Sequence, residues 1–490
     1  MRAIIQIVAT SAGLALFLTP LVRSFAIAVG AVDQPGGRKV HDSPVPRLGG
    51  LAVALAMIGA LGIGWWRAWF DAGAASLPDL RWSWLLLGGA LVVLIGVADD
   101  LLSLGPAAKL GGQLLSGLLA IGAGCSVGHL SDPLSGQSVA LGWWSMPVTL
   151  LWIVGVTNAF NLIDGLDGLA AGVALIAAVT LGACGALVGQ DWLPPVMAAM
   201  AGALLGFLRY NFQPASIFLG DSGSLLLGYV LAVTAIASAQ KGTATVVVGA
   251  PLLALGLPIA DTALAMVRRL LGALHVMRLD PDHRVYRFVI VGPAAMLRAD
   301  RDHIHHRLLA MGLTHRHTVL ALYGIGATLG LIALLSIGAS GPMYALITLV
   351  VATASSLGIR ALGYQDVLAP VVTRPLAPRA RRSLLRRPVP IILDGGLLSI
   401  AFLASTLMLD VAPFDLAHSQ RILFGLGASV VLKLAVFICA GVYDGHPWTP
   451  SRRSGAVVLL AQEVATVGVL ALSLMPVPGL PVMLVDLYVG

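Results

Sequence analysis

The residues able to do chemistry in this chain come in four polar islands. Adjacent carboxylates, Asp99 and Asp100, end the apolar run "LLLGGALVVLIGVADD", and Pro106, Lys109 and Gln113 follow after a short break. An ionised residue in hydrocarbon costs about 2.5 to 3.5 kcal/mol even on the lenient insertion scale, and neighbouring carboxylates repel unless a positive charge intervenes. A bound divalent cation would reverse that penalty; a helix-end pair in headgroup water, balanced by Lys109, would also tolerate it. The second island, "NAFNLIDGLDGLAAG", sets Asn158, Asn161, Asp164 and Asp167 at three-residue steps. Each step turns a helix by roughly 300°, so consecutive members touch but four cannot share one face. Asn158, Asn161 and Asp164 can form one strip, while Gly165 and Gly168 loosen the backbone where Asp167 would need re-aiming. That pattern suits a helix mouth lining a wet cavity. Asparagines bonding neighbouring helices would account for one such residue, but poorly for four positions that include two carboxylates.

The third island, "RYNFQPASIFLGDSGSLLLG", places Pro214 before Ile217 and Phe218, then a tight turn from Gly220 to Ser224 into a new helix. Asp221 can cap that helix or ligate a metal, and the two roles are compatible. Carboxylates arriving from separate helices favour a hard ion, Mg²⁺ or Mn²⁺, that keeps waters and meets substrate phosphates. The fourth island, "DRDHIHHRL", packs His303, His305 and His306 beside Arg301 and Arg307. Such a donor cluster suits phosphate oxygens. Its mixed spacing is not that of a helical zinc site, and a basic loop meeting anionic headgroups is the blander reading.

The elements that must hold these islands are membrane helices. The chain has 490 residues, 58% hydrophobic and 11% charged, with a mean hydropathy of +0.91, too apolar for a soluble globular chain. Apolar runs of about 20 residues recur throughout. The first could be a signal peptide, since Ala26 and Ala28 mimic a cleavage site, but its apolar stretch exceeds a secretory core. The net charge of +7 does not imply nucleic acid, because the arginines gather in a few loops rather than along one face. Those loops are "RKVHDSPVPR", residues 267–316 and "TRPLAPRARRSLLRR". Basic loops mark the cytoplasm, which puts the N-terminus outside and all four islands on the cytoplasmic side. Cys125, Cys184 and Cys439 are isolated in apolar runs and read as small core residues.

The expected fold is an all-α polytopic membrane protein. Residues 1–365 form a bundle of about eleven helices. Residues 366–388, rich in Pro and Arg, form a basic cytoplasmic linker, and residues 389–490 an additional transmembrane segment of three to four helices, the last cut short or lying on the surface. Imperfect alternation in "HRVYRFVIVGPAAM" predicts a strand or hairpin.

Taken in order, "PVPRLGG", "DDLLSLGPAAKLGGQ", "NAFNLIDGLDGLAAG", "YNFQPASIFLGDSGS" and "DRDHIHHRL" resemble the polyprenyl-phosphate N-acetylhexosamine-1-phosphate transferase family. The resemblance covers residues 1 to about 365 and is to glycosyltransferase family 4 enzymes of the undecaprenyl-phosphate GlcNAc-1-phosphate transferase type. It implies transfer of an N-acetylhexosamine 1-phosphate, GlcNAc-1-phosphate above all, from a UDP-N-acetylhexosamine to polyprenyl phosphate. The acceptor would be undecaprenyl phosphate in the lipid bilayer, at the cytoplasmic face of a bacterial inner membrane. UMP is released, Mg²⁺ is required, and the diphosphate-linked lipid starts a cell-envelope polysaccharide. Asp99 and Asp100 correspond to the catalytic pair, and Asp221 to a metal ligand, joined by Asp100. Asn161, Asp164, Asp167, Asn211 and Phe218 correspond to positions lining the nucleotide site, with Asn158 on the same strip. His303, His305 and His306 correspond to contacts of the donor diphosphate, with Arg301 beside them, and Lys39 to the basic residue of the first loop. The stretch from Arg269 to Asp300 is longer than the family's usual spacing.

Residues 390–490 resemble instead the membrane-spanning N-terminal region of bacterial nucleotide-sugar epimerase/dehydratases, without their soluble catalytic domain. That implies anchoring or partner contact, in a homodimer or with a polysaccharide-assembly partner. Two other classes are weighed. A transporter predicts mid-helix ionisable residues and inverted repeats, neither of which is evident. An inactive scaffold is disfavoured by the presence of Asp99, Asp100, Asp164, Asp167 and Asp221.

Overall fold

A computed structural model describes residues 2–34, 44–67, 81–131, 138–239, 249–278, 303–337 and 351. The chain divides into two compact units. One comprises Met1–Ala263 with Leu309–Ile337, the other Leu264–Leu308 with Gly338–Gly490.

The helices are α1 (Arg2–Ala28), α2 (Gly49–Trp66), α3 (Trp82–Leu102), α4 (Pro106–Gly122), α5 (Ser145–Ile163) and α6 (Leu169–Leu187). They continue with α7 (Leu193–Asn211), α8 (Gly220–Ala239), α9 (Gly249–Ala254), α10 (Gly256–Arg278), α11 (Ile304–Ala310) and α12 (His315–Leu335). The division between units falls within α10 and α11. Among the described residues eight helices are long and apolar enough to cross a membrane: α1, α2, α3, α5, α6, α7, α8 and α12. The protein is thus an all-helical polytopic membrane protein, as its composition demands. Two short antiparallel ladders are added to that expectation. Strand β1 (Val32–Asp33) pairs with β2 (Val45–Pro46), and β3 (His129–Ser131) with β4 (Ser138–Ala140). Strands of two or three residues are too short to show an alternating pattern.

Helix ends follow local chemistry. Ser103, in the left-handed conformation at φ 53°, stops α3 and donates its N–H to Asp99 O at 2.8 Å. Pro106 then opens α4, where a missing N–H does no harm. Thr314 caps α12 by accepting the His317 N–H. Within the first unit α8 is the central post, the most buried of the eight spans, and α1 is the least buried. It packs against α2, α3, α5 and α6, while α1 packs on α2 and α7. Contact between such helices depends on small residues that let backbones approach. At Gly96 of α3 the approach is so close that a Cβ would lie 2.3 Å from Ser222 Cα.

Candidate active site

Where α3 ends, α5 ends, and α4 and α8 begin, polar side chains meet. Asp99 and Asp100 are each only 8% exposed. Successive helix residues point about 100° apart, and the two carboxylates accordingly have different partners. Asp99 Oδ2 lies 2.6 Å from the Lys109 ammonium, one turn into α4. The same Nζ lies 2.5 Å from Asp221 Oδ2 in the first turn of α8. Lys109 therefore bridges carboxylates from two helices, Asp99 of α3 and Asp221 of α8, rather than balancing the adjacent pair.

Asp100 faces the start of α8 itself. Its two oxygens accept the backbone N–H groups of Asp221 at 3.0 Å and Ser222 at 3.2 Å. The first N–H groups of a helix have no partner within it and carry positive potential, so the cap expected of Asp221 is supplied across the bundle by Asp100. Gly220 makes room for it: φ is +73°, and a Cβ would stand 2.6 Å from Asp100 Oδ2. Asp221 is thereby left free to use its side chain elsewhere. Its Oδ1 accepts from Asn161 Nδ2 at 3.0 Å, and that amide also donates to Ser224 Oγ at 2.9 Å.

The remaining islands sort by what they hold. Asn158 forms a reciprocal amide pair with Gln113 of α4, at 2.7 and 3.3 Å. Helix α5 stops at Ile163, so Asp164 sits at its C-cap and Asp167 lies off the helix. Asp167 is re-aimed: Oδ2 accepts the Ala215 N–H at 3.0 Å and ties two loops together. Burial, then the negative charges of Asp221, Asp100 and Asp167, push the Asp164 carboxyl well above the ordinary carboxylate range, while Arg47 opposes them. Asp164 nevertheless keeps part of its surface open. Buried Asn211 donates to Ile217 O at 3.0 Å, shaping the loop into α8. The half-buried Phe218 is gripped by its backbone, with its N–H on Pro46 O at 2.8 Å and its carbonyl accepting from Gly49 at 3.0 Å. Gly50 adds a bond to Leu219 O at 2.8 Å. The "PVPRLGG" motif thus clasps the entrance to α8.

His303 and His305, 4% and 2% exposed, belong with His306 to the second unit. Their rings form one cluster, with centroids 5.8 Å apart for His303 and His305 and 4.4 Å for His305 and His306. Lys39 and Arg301 lie outside the described residues, as do the strand expected in "HRVYRFVIVGPAAM", the linker over 366–388 and the segment over 389–490.

Sequence reasoning gave Lys109 only a balancing role and assigned nothing to Arg47 or Ser224. The signal for Lys109 was present: a lysine inside an apolar helix is itself costly.

Among the described residues no three His, Cys, Asp or Glu side chains are gathered as a ready-made metal cage. What is gathered is a pair of carboxylates, Asp99 and Asp221, around one cation. Mg²⁺ is commonly held by one or two carboxylates together with substrate phosphates rather than by an all-protein cage. This oxygen donor set fits such an ion, and the ammonium stands where positive charge is wanted. Asp99 is closer to sharing a cation with Asp221 than Asp100 is, because Asp100 is turned onto the α8 backbone.

The glycosyl transferase family 4 model matches residues 82–239, the stretch that carries the acids of this site. A Bacillus subtilis protein named as a probable undecaprenyl-phosphate N-acetylglucosaminyl 1-phosphate transferase is 36% identical over 311 residues, covering 64% of this chain and 78% of the relative. The chain belongs to glycosyl transferase family 4. A second relative, a Mycobacterium tuberculosis decaprenyl-phosphate N-acetylglucosaminephosphotransferase, is 34% identical over 334 residues, with 64% and 78% of the two chains covered. A phospho-N-acetylmuramoyl-pentapeptide-transferase of Moorella thermoacetica is 42% identical over 161 residues, 32% of this chain and 51% of that one. As a family 4 member the protein is a membrane-embedded transferase, and the carboxylate and lysine cluster is its candidate active site.

Proposed function

We propose that the protein transfers N-acetylglucosamine 1-phosphate from UDP-N-acetylglucosamine to a polyprenyl phosphate, with undecaprenyl phosphate as acceptor. UMP leaves, and the diphosphate-linked lipid starts a cell-envelope glycan. The names of the Bacillus and Mycobacterium relatives support the lipid and the sugar. The basic loops of the sequence support a site on the cytoplasmic face of a bacterial inner membrane. The observation that carries the reading is the meeting of Asp99 and Asp221, 122 residues apart in sequence, on one Lys109 ammonium at 2.6 and 2.5 Å.

The reaction brings two polyanions together, so charge neutralisation and positioning supply most of the rate. An oxygen of the lipid phosphate attacks the phosphorus that bears the sugar. A new P–O–P linkage forms, the bond from that phosphorus to the bridging oxygen breaks, and UMP departs with the oxygen. A phosphate monoester has its second pKa near 6, so the acceptor is largely deprotonated at neutral pH and needs no strong base. Asp99 orients the acceptor or takes a residual proton. Lys109 presents N–H donors to phosphate oxygens, and Asn161 fixes the rotamer of Asp221. Asp100, by capping α8, holds Asp221 in register. Mg²⁺, or Mn²⁺, held by Asp221 with a carboxylate of the Asp99 and Asp100 pair, would supply neutralising charge for the diphosphate and the departing UMP. The imidazole cluster, with Arg301 and Lys39, serves the donor diphosphate in this reading, and the C-terminal segment serves partner contact.

The test is to incubate purified protein with UDP-N-acetylglucosamine, undecaprenyl phosphate and Mg²⁺ and to follow UMP. Release that disappears with chelator and in Asp221→Ala supports the reading; no release from the wild type overturns it. Trapping a sugar-phosphoryl enzyme before lipid is added would replace direct attack by a covalent scheme.

A further inference from the structure

The clasp formed by "PVPRLGG" explains the backbone of residues 45–50 but not the arginine in its middle. Arg47 follows β2 and precedes α2, and its position is closely determined. Its N–H donates to Ala31 O at 2.8 Å, and Pro46 before it and Gly49 after it bond to Phe218. Its guanidinium pairs through Nη2 with Asp33 Oδ1, on the neighbouring strand β1. Asp33 is almost enclosed, with 9% of its side chain exposed, whereas the Arg47 side chain is 33% exposed. A guanidinium has five N–H donors in a rigid fork, and the pair with Asp33 uses one nitrogen of it. The loop that carries it borders the acid cluster: three residues on, Gly50 donates its N–H to Leu219 O at 2.8 Å, and a Cβ on Gly50 would lie 2.0 Å from Gly223 N and 2.5 Å from Ser222 C, in the turn that presents Asp221; the charge of Arg47 is felt at Asp164.

That placement matters because the site is rich in negative charge. Asp99, Asp100, Asp164, Asp167 and Asp221 lie in it, and Lys109 is already shared between two of them. Phosphate groups approaching such a cluster are repelled unless cations meet them. Arginine, tethered on one edge and open on another, matches phosphate geometry with two parallel N–H donors.

We propose that Arg47, tethered by Asp33, is a phosphate-recognising residue of the active site that takes a phosphate oxygen of an anionic substrate on the edge Asp33 leaves open. Asp33 is then a positioning residue. The proposal rests on the transferase reading for its two phosphate sources, the diphosphate of the nucleotide sugar and the monophosphate of the lipid.

Initial rates of UMP release are measured on the full chain in detergent, varying UDP-N-acetylglucosamine and undecaprenyl phosphate in turn. Arg47→Gln is expected to raise the KM of one substrate about tenfold or more while kcat falls less than about threefold. A rise confined to the nucleotide sugar assigns Arg47 to the donor, and one confined to undecaprenyl phosphate assigns it to the acceptor. Arg47→Lys, which keeps the charge and loses the fork, raises the same KM about threefold, and Asp33→Asn gives an intermediate rise. Unchanged KM values for both substrates in Arg47→Gln, whatever happens to kcat or the melting temperature, overturn the proposal and leave a purely structural clasp. If Arg47→Gln does not fold, Arg47→Lys is judged by the same criterion. A wild type that releases no UMP refutes the transferase reading separately. Arg47 is then tested by calorimetry with inorganic pyrophosphate, where affinity weaker by about fivefold in the variant supports the role and equal affinity overturns it.

Discussion

The two ends of the first unit solve different problems with the same helices. At the active-site end Asp99, Asp100, Asp167 and Asp221 each bond to another element, through Lys109, the α8 backbone, Ala215 and Asn161. At the opposite end, where α2 finishes and α3, α5 and α7 begin, the ends are dressed in tryptophan. Trp66 and Trp143 are 77% and 75% exposed. Trp143 and Trp144 stack at 4.2 Å. Indoles are content at a membrane surface in many orientations, because one side is apolar and the N–H can be wet. A buried carboxylate tolerates no such freedom, since removing its partner leaves charge uncompensated. Register is therefore demanded at one end and relaxed at the other.

The largest expected effect separates the ends outright. Asp221→Ala is expected to lower UMP release on the order of a thousandfold, while Trp143→Ala leaves the rate of the purified protein within about twofold. Comparable losses in both would erase the contrast.

Next come the cations. Lys109→Met strands two carboxylates and is expected to cost about 2 to 3 kcal/mol, less than a fully enclosed pair because Lys109 is partly exposed, together with most of the activity. Arg67→Met, which removes a guanidinium resting 5.3 Å from the Trp66 ring at the other end, should cost about 1 kcal/mol or less. Unfolding in detergent measures both.

Glycines sharpen the comparison further. A Cβ at Gly96 would meet Ser222 backbone at 2.3 Å, whereas nothing lies within 4 Å of one at Gly62. Gly96→Ala should cost about 1 to 3 kcal/mol and slow turnover by displacing α8, and Gly62→Ala should be neutral or stabilising by up to about 1 kcal/mol. Equal melting temperatures would show that α8 can give way.

The smallest effect is one of pH. A carboxyl whose folded pKa is raised binds its proton more tightly in the folded state, so its contribution is favourable below the unfolded value and is lost as pH rises through the folded one. Asp164, raised by burial and three acidic neighbours, should therefore strain the metal-free protein at high pH. Asp164→Asn is expected to raise the melting temperature in chelator at pH 8 and to have less effect at pH 5. No difference between the two pH values would remove that charge from the account of the site.

Much of this was legible in the sequence. Hydrocarbon admits helices and closed barrels, so composition alone implied membrane helices. The three-residue spacing from Asn158 to Asp167 already said that four polar groups could not share a face, and the chain indeed leaves the helix after Ile163. The roles of Lys109 and Arg47 were less legible, because an ion pair depends on which helix ends meet, and spacing along the chain carries no record of that. Gln113 likewise gave no sign that its partner would be Asn158.

Asp99 and Asp100 show the division best. That two carboxylates stand at the end of a membrane helix, and must be compensated, follows from the order of residues and the low dielectric of their surroundings. Which of them meets a lysine and which caps a helix was decided only by the tertiary structure: a helical step of about 100° turns them to different neighbours, and those neighbours come from α4 and α8.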